Sequence, residues 1–462
     1  MKKNRSITFI LLAFITIQFV LVLTSAAPFN GDSMMYDKLA RECLANGTFY
    51  PAAHNLHDDY IIAPVYINYL ILILSIYNSP LTIFFGNILL NTLTAWLLYL
   101  ISRRLFNNKV ALITLILYTG YLSGLGAIMM NMTELLFTLL LVAGFYLWLV
   151  RKPSALLASG VLFGLAFGIR QGALAMLLAL LITTVINKIP LKTIFYLLAG
   201  FILATAGLGL YTLGSTGHVI ITSTTGPVNV MMGAHDDATG AYDHTVFEPR
   251  HAGYIDDPVG LTFTQKAQFW GNQSTTWISQ HPLKWIAIMP LKLVHMFIWD
   301  DWSLPSLLKN NDWNLYLIAK RMMTGKKLFA NESKGFITVF ILVNLVHHLY
   351  YFTLLFLMIF QFRYYHHYLQ DISRTLLPIY LFSLISMGMV LLAFGAARFK
   401  YPFFIMMLIT LAPMIEHFFN KRSLFFAKEI WNSKIHLEFT CTNKKNTPYL
   451  FMLLPIKQQE LR

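Results

Sequence analysis

The chain has 462 residues, of which 56% are hydrophobic and 12% charged, and its mean hydropathy is +0.58. A soluble chain carries about 25% charged residues, so this composition excludes an ordinary soluble domain. The formal charge of +14 comes from 35 basic and 21 acidic residues. The basic residues sit between apolar runs and form no groove-sized patch, which argues against a nucleic-acid partner and for inside loops on anionic lipid.

Apolar runs of about 20 residues recur along the chain, each long enough for a hydrocarbon core of about 30 Å. They predict an all-α polytopic membrane protein with about 10–11 transmembrane helices. A β-barrel would show alternating segments of about ten residues instead. Cys43 and Cys441 are the two cysteines, are placed on opposite sides of the membrane, and frame no disulfide scaffold.

Met1-Lys2-Lys3-Asn4-Arg5 is a basic start followed by an apolar stretch from Ile7 to Ala27. That stretch exceeds the apolar core of a signal peptide, so it is read as an uncleaved first span running outward. Residues 28–80 then form the first outer loop, in which the segment from Ala63 to Tyr77 is read as a helix in the outer interface. Span 2 (82–101) ends at Arg103-Arg104, and span 3 (109–127) goes out. Span 4 (132–150) returns to Arg151-Lys152, and span 5 (155–170) goes out. Span 6 (173–187) returns to Lys188 and span 7 (193–213) goes out. Each basic cluster of this module falls inside.

Residues 1–213 are thus expected to form a seven-span catalytic module, and residues 214–335 an outer region with interfacial helices. Within that region Thr224-Thr225-Gly226-Pro227 and Gly233 to Tyr242 read as loop. Residues 284–299 are expected as an outer-interface or re-entrant helix. Lys309, Lys320, Arg321, Lys326 and Lys327 weigh against that side assignment. Further helices are expected over 336–361, 375–395 and 402–418, within a C-terminal part spanning 336–419. A basic cytoplasmic tail, 420–462, follows Lys421-Arg422.

The polar residues gather on this thread. Arg170 lies 18 residues beyond Lys152, about 27 Å along a helix, and Glu134 lies 17 residues before Arg151, about 26 Å. Both therefore stand at the outer interface with Asp32, Arg398 and Lys400. Ionisable residues near the bilayer are functional candidates by default. Each also has a plain structural role open to it: Asp32 as a helix cap, Glu134 as first-turn charge, Arg170 as a snorkelling side chain, Arg398 and Lys400 as lipid-headgroup contacts. Asp300-Asp301 and Asp256-Asp257 are assigned to solvent. His347-His348 are read as packed or water-bonded side chains.

The chemistry that fits the cluster is transfer from a lipid-anchored phosphate on the outer face. Asp32 would take a proton from an acceptor hydroxyl as base, with Glu134 shaping the base or acceptor site. Arg170, Arg398 and Lys400 would hold the donor phosphate. Tyr36, Asp236 and Tyr242 are assigned to substrate binding. No Walker loop, strand-borne GxGxxG or HExxH is present, no His/Cys cluster has zinc spacing, and a divalent cation is the one cofactor left open.

These residues resemble the membrane glycosyltransferases of the GT-C type, and among them the bacterial relatives of protein O-mannosyltransferases and aminoarabinose transferases. The resemblance runs over residues 7–290, with an echo at 395–416. It is carried by Asp32-Ser33-x-x-Tyr36 with Leu39-Ala40-Arg41-Glu42 and Asn46-Gly47, then by Pro64-Val65-Tyr66 and Arg103-Arg104-Leu105-Phe106. Thr133-Glu134, Gly164-Leu165-Ala166 with Arg170, and Arg398-Phe399-Lys400-Tyr401-Pro402 complete it. It implies a GT-C-like fold and inverting transfer, with Asp32 as base, from a polyprenyl-phosphate sugar to a glycan, lipid or protein acceptor. The site would face outward from the cytoplasmic membrane. The chain departs from the family at Ser33, where many relatives carry a second acid. It also lacks the lysine that aminoarabinose transferases carry before their proline pair. Both departures weigh against a lipid A acceptor and a paired-carboxylate metal site. A polysaccharide polymerase or ligase, which would depend on a late basic loop, and a transporter or flippase remain as alternatives.

Overall fold

The computed structural model describes residues 2–25, 28–243, 245–308, 334–368 and 370–420. The basic residues between 309 and 333, Cys441 and the tail from Lys421 onward, on which several sequence expectations fall, lie outside the described residues. The chain divides into two units, Met1–Met414 and Ile415–Arg462. Among the described residues the first unit contains helices and no strand, with a single parallel bridge between Ala241 and Gly395. Among the described residues six helices are long and apolar enough to cross a membrane: Arg5–Ser25, Pro80–Leu105, Lys192–Thr216, Gly335–His366, Arg374–Leu392 and Ala397–Asn420. Five shorter apolar helices accompany them. The protein is an all-helical, multi-pass membrane protein.

In chain order the helices begin with α1 (Lys2–Ser25), α2 (Gly31–Ala45), α3 (Pro64–Ile76) and α4 (Pro80–Leu105). Next come α5 (Asn108–Thr119), α6 (Leu122–Ala127), α7 (Glu134–Val150), α8 (Pro153–Ile169), α9 (Ala173–Ile186) and α10 (Lys192–Thr216). After these come α11 (Gly226–Met232), α12 (Phe263–Gln280), α13 (Pro282–Phe297) and α14 (Leu304–Leu307). α15 (Lys334–Tyr368), α16 (Gln370–Leu392), a short 3-10 turn (Ala397–Lys400) and helical residues 401–420 (α17) follow. In the second unit, Asn420 Nδ2 donates to Glu416 Oε1 at 2.8 Å.

Local signals explain many boundaries. Pro64, Pro80, Pro153 and Pro282 each open a helix, where a missing N–H is no loss and φ is already helical. Asn107 caps α5 by accepting from Lys109 and Val110. Thr262 and Gln265 form a capping box on α12. Gly226-Pro227 was expected to be loop and instead starts α11, because a proline at the first turn suits a helix as well as a turn.

Span 3 departs from its expected single helix. It breaks at Gly120-Tyr121 and continues as the short α6. Carbonyls freed by such a break need donors inside the bundle. α4 supplies them: Asn91 Nδ2 donates to Gly124 O at 3.2 Å, and Asn87 Nδ2 donates to Ile128 O at 3.1 Å and Met130 O at 2.8 Å. Asn91 also donates to Gln18 Oε1 at 2.8 Å and accepts from the Tyr118 hydroxyl. These buried amides tie α1, α4 and the broken span together.

α8 crosses α10 through glycine. A Cβ on Gly160 would stand 2.0 Å from Leu197 O, and one on Gly200 would stand 2.0 Å from Leu157 O. Without side chains there the backbones approach directly, as small residues allow in lipid, where apolar burial gives no drive for association.

Candidate active site

α2 begins at Gly31, so Asp32 stands in its first turn, where a carboxylate meets the positive end of the helix. The start of α2 is fixed from behind. Asn131 Nδ2 donates to Ser33 O at 3.0 Å, and Tyr66 OH donates to Asn131 Oδ1 at 2.8 Å. Tyr36, one turn on from Asp32, packs edge-on to Tyr66 with ring centroids 5.4 Å apart. Burial, reinforced by the Asp32 charge, pushes the Tyr36 phenol up to about 12, so it is a neutral hydrogen-bonding group at pH 7.

The 3-10 turn Ala397–Lys400 brings Arg398 across the chain, and its Nη1 lies 2.6 Å from Asp32 Oδ2. Arg170 caps the C-terminus of α8 in extended backbone, and its Nη2 lies 2.9 Å from Glu134 Oε1. Glu134 opens α7 and is fully buried, while the Arg170 side chain is 22% exposed. Glu134 and Arg170 lie at the ends of α7 and α8 opposite Arg151 and Lys152. The Phe399 ring lies close to both guanidinium groups, 5.7 Å from Arg170 and 5.8 Å from Arg398.

Asp32, Tyr36, Arg170, Tyr242 and Arg398 line one cavity of about 420 Å³. Glu134 stands behind Arg170, outside the lining. A second, apolar cavity of about 180 Å³ adjoins it and shares Arg170 and Phe399; Phe137, Phe382, Met389 and Phe403 are on its wall. Segment 60–63 forms one side of the larger cavity and is stitched to residues 223–224. Ala63 N donates to Ser223 Oγ at 2.7 Å, and Thr224 N donates to Ile61 O at 2.8 Å. Ala63 itself is held at φ 44°, a region that costs an alanine about 1 kcal/mol or more.

Besides Glu134, two assigned site residues do not reach the cavity lining. Lys400 turns inward, fully buried, with Nζ 2.8 Å from Asp300 Oδ1. A 3-10 turn has three residues per turn, so side chains two positions apart diverge by about 120°, and Lys400 is directed away from the cavity that Arg398 lines. Asp236 pairs at the protein surface with Lys284 at 2.9 Å and accepts from Trp277 Nε1 at 3.3 Å. The Lys284 ammonium holds the Asp236 carboxyl below its usual value. Asp300, assigned to solvent from the sequence, is buried among Lys400, His347, Ser123 and Tyr121, because α13 folds its C-terminal end onto the bundle.

Phe399 also lines the cavity, as do Tyr60, Gln171 and Asn229, which carry no sequence signal of their own. Lys266, nearly buried, holds Tyr60 in place through ion pairs to Asp59 (2.6 Å) and Asp257 (3.2 Å), with its ammonium 5.6 Å from the Tyr60 ring. Asp59-Tyr60 next to Asp257 and Lys266 is visible only as scattered charge. Among the described residues no group of three or more His, Cys, Asp or Glu is arranged to hold a metal ion.

Residues 62–208 match the family model of the dolichyl-phosphate-mannose-protein mannosyltransferases. The match lies within the first half of the chain, and the family it names is of the GT-C glycosyltransferase type. The matched segment contains Glu134 and Arg170; Asp32 and Arg398 lie on either side of it. Among solved structures, the chain is similar to the Archaeoglobus fulgidus oligosaccharyltransferase tethered with an acceptor peptide. Identity is 13%, the TM-score is 0.41, and the match covers 90% of this chain and 50% of that one. The apo form of the same enzyme gives 12% identity, a TM-score of 0.41, and coverage of 91% and 52%. ArnT from Cupriavidus metallidurans bound to undecaprenyl phosphate gives 12%, 0.35, and coverage of 87% and 77%. The chain spans about half the length of the oligosaccharyltransferase chains it matches. No curated protein sequence matches it.

Proposed function

We propose that the protein transfers a sugar from a polyprenyl-phosphate donor to an acceptor hydroxyl at the outer face of the cytoplasmic membrane. The observation that carries this reading is the Asp32–Arg398 pair, 2.6 Å apart on the wall of a cavity that also presents Arg170. A general base must reach the acceptor proton, and a departing phosphate needs fixed positive charge within contact distance. Here both requirements fall on one cavity.

In this mechanism the acceptor oxygen attacks the anomeric carbon from the face opposite the phosphate. The new C–O bond forms as the bond from the anomeric carbon to the phosphate oxygen breaks, which inverts the centre. The acceptor proton passes to Asp32, and the phosphate keeps the electron pair. Arg398 and Arg170 neutralise that charge, and their delocalised, forked guanidinium groups suit phosphate oxygens. Glu134 holds Arg170 to the cavity. The aromatic rings of Tyr36, Tyr60 and Tyr242 offer faces and hydroxyls to sugar. The apolar cavity beside Phe399 accepts the first isoprene units of a donor whose tail remains in lipid. The acceptor is a glycan, lipid or protein hydroxyl of the cell envelope, entering beside α11 and α12.

The test is the Asp32→Asn variant, purified and incubated with undecaprenyl-phosphate-linked sugars, with released undecaprenyl phosphate measured by mass spectrometry. Loss of a general base is expected to lower turnover by about 10²- to 10⁴-fold. Unchanged turnover would overturn the assignment.

A further inference from the structure

A second charged cluster lies inside the bundle and touches neither cavity. Lys400 Nζ is 2.8 Å from Asp300 Oδ1, and both side chains are fully buried. Asp300 Oδ2 accepts from Tyr121 OH at 2.6 Å and from Ser123 Oγ at 3.0 Å, and lies 2.9 Å from His347 Nε2. Lys400 also donates to Met296 O at 3.1 Å, Trp299 O at 2.8 Å and Ala397 O at 3.2 Å. Met296 O belongs to the last turn of α13, where carbonyls lack intrahelical partners and a cation is favoured, and Trp299 O lies just beyond that helix. The third belongs to the turn that carries Arg398.

A buried ion pair is weak evidence for stability, because desolvation offsets much of its attraction. What such a cluster does well is select one arrangement over its neighbours. The arrangement here is that of the turn 397–400. Its upstream side is also clamped: Gly395 N donates to Gly240 O at 2.8 Å, and a Cβ on Gly395 would stand 1.9 Å from Lys292 O. Arg398 is therefore presented to Asp32 by a turn gripped at both ends, with Lys400 as the downstream grip.

Resting on the donor-phosphate role given above to Arg398, we infer that Lys400 and Asp300 form a positioning pair that locks the 397–400 turn and so sets Arg398 at the phosphate. A shift of about 1 Å in a substrate-contacting group is enough to lower activity by about 10²-fold. The pair acts without touching substrate.

The experiment measures undecaprenyl phosphate affinity of the purified full-length protein, with thermal unfolding alongside. Its variants are Arg398→Ala, Lys400→Met, the charge-free pair Asp300→Asn with Lys400→Met, and Lys400→Met combined with Arg398→Ala. Lys400→Met alone leaves Asp300 buried without its lysine and lowers the melting temperature. The charge-free pair recovers folding, because no buried charge is left unpaired. Both are expected to bind undecaprenyl phosphate about tenfold more weakly, and Lys400→Met is expected to add no loss on top of Arg398→Ala, as coupled positions behave. Wild-type affinity in the charge-free pair, or losses that multiply in the combined variant, overturn the inference and leave the active-site assignment standing. Wild-type affinity in Arg398→Ala overturns the phosphate assignment, and the inference with it.

Discussion

Arg170 reaches the cavity while its partner Glu134, 2.9 Å away, is wholly buried at the start of α7. One charge faces the cavity and the other is buried behind it. Replacing Glu134 by Gln keeps shape and packing but removes the charge. Arg170 then loses its anchor, and we expect turnover to fall at least tenfold with little change in expression. Glu134→Ala, which leaves Arg170 half-buried and unpaired, is expected to lower stability by about 3 kcal/mol as well, as breaking one side of a buried pair does. Steady-state turnover and unfolding temperature of both variants check this. Equal activity in Glu134→Gln and wild type would show that Arg170 needs no partner.

The α8–α10 crossing gives a prediction about folding. Gly160 and Gly200 leave no room for a Cβ, whereas nothing lies within 4 Å of a Cβ built on Gly207. Gly200→Val is expected to abolish the folded species on size-exclusion chromatography. Gly207→Ala is expected to be neutral or to stabilise by up to about 1 kcal/mol, through helix propensity alone. The contrast separates close packing from glycine content.

Lys292 supplies a pH prediction. It is fully buried on α13, its Nζ donates to Leu391 O at 2.9 Å, and burial pushes its ammonium down to about 8. An unfolded lysine titrates near 10.4. Between about 8 and 10.4 the unfolded chain thus binds more protons than the folded one, so this group's contribution makes stability rise with pH across that window. Below it, the buried charge destabilises the fold. Lys292→Met is therefore expected to raise the melting temperature at pH 7, and the gain is expected to shrink by pH 10. A gain independent of pH would place the effect in packing.

Cys43 is buried on α2, and burial pushes its thiol up to about 11. The thiolate is the reactive species. In a Cys441→Ser background, Cys43 is expected to resist N-ethylmaleimide at pH 7.5 in the native protein and to react fully once unfolded in detergent. Mass measurement of the intact chain reads both states.

The helical, multi-pass architecture was legible in the sequence because it is local. An apolar run of sufficient length has few alternatives in lipid, where a helix satisfies its own backbone. Proline and glycine placed many helix ends for the same reason. The gathering of Asp32, Arg170 and Arg398 was suggested by helix rise and side assignment, which are one-dimensional measures. Their actual pairing was not. Asp32 and Arg398 are separated by 366 positions, and only the path of every intervening helix brings their side chains to 2.6 Å.

Tertiary structure alone decided what Lys400 and Asp300 do. In the sequence Lys400 reads as a twin of Arg398, and Asp300 as a solvated acid beside Asp301. The 3-10 turn points two nearby cations in different directions, and the end of α13 folds Asp300 into the bundle. A charge's role depends on what surrounds it in three dimensions, because burial and partner distance set its energy. Residue type and spacing determined where the membrane helices run; the packing of those helices decided which charges meet at the cavity and which are buried away from it.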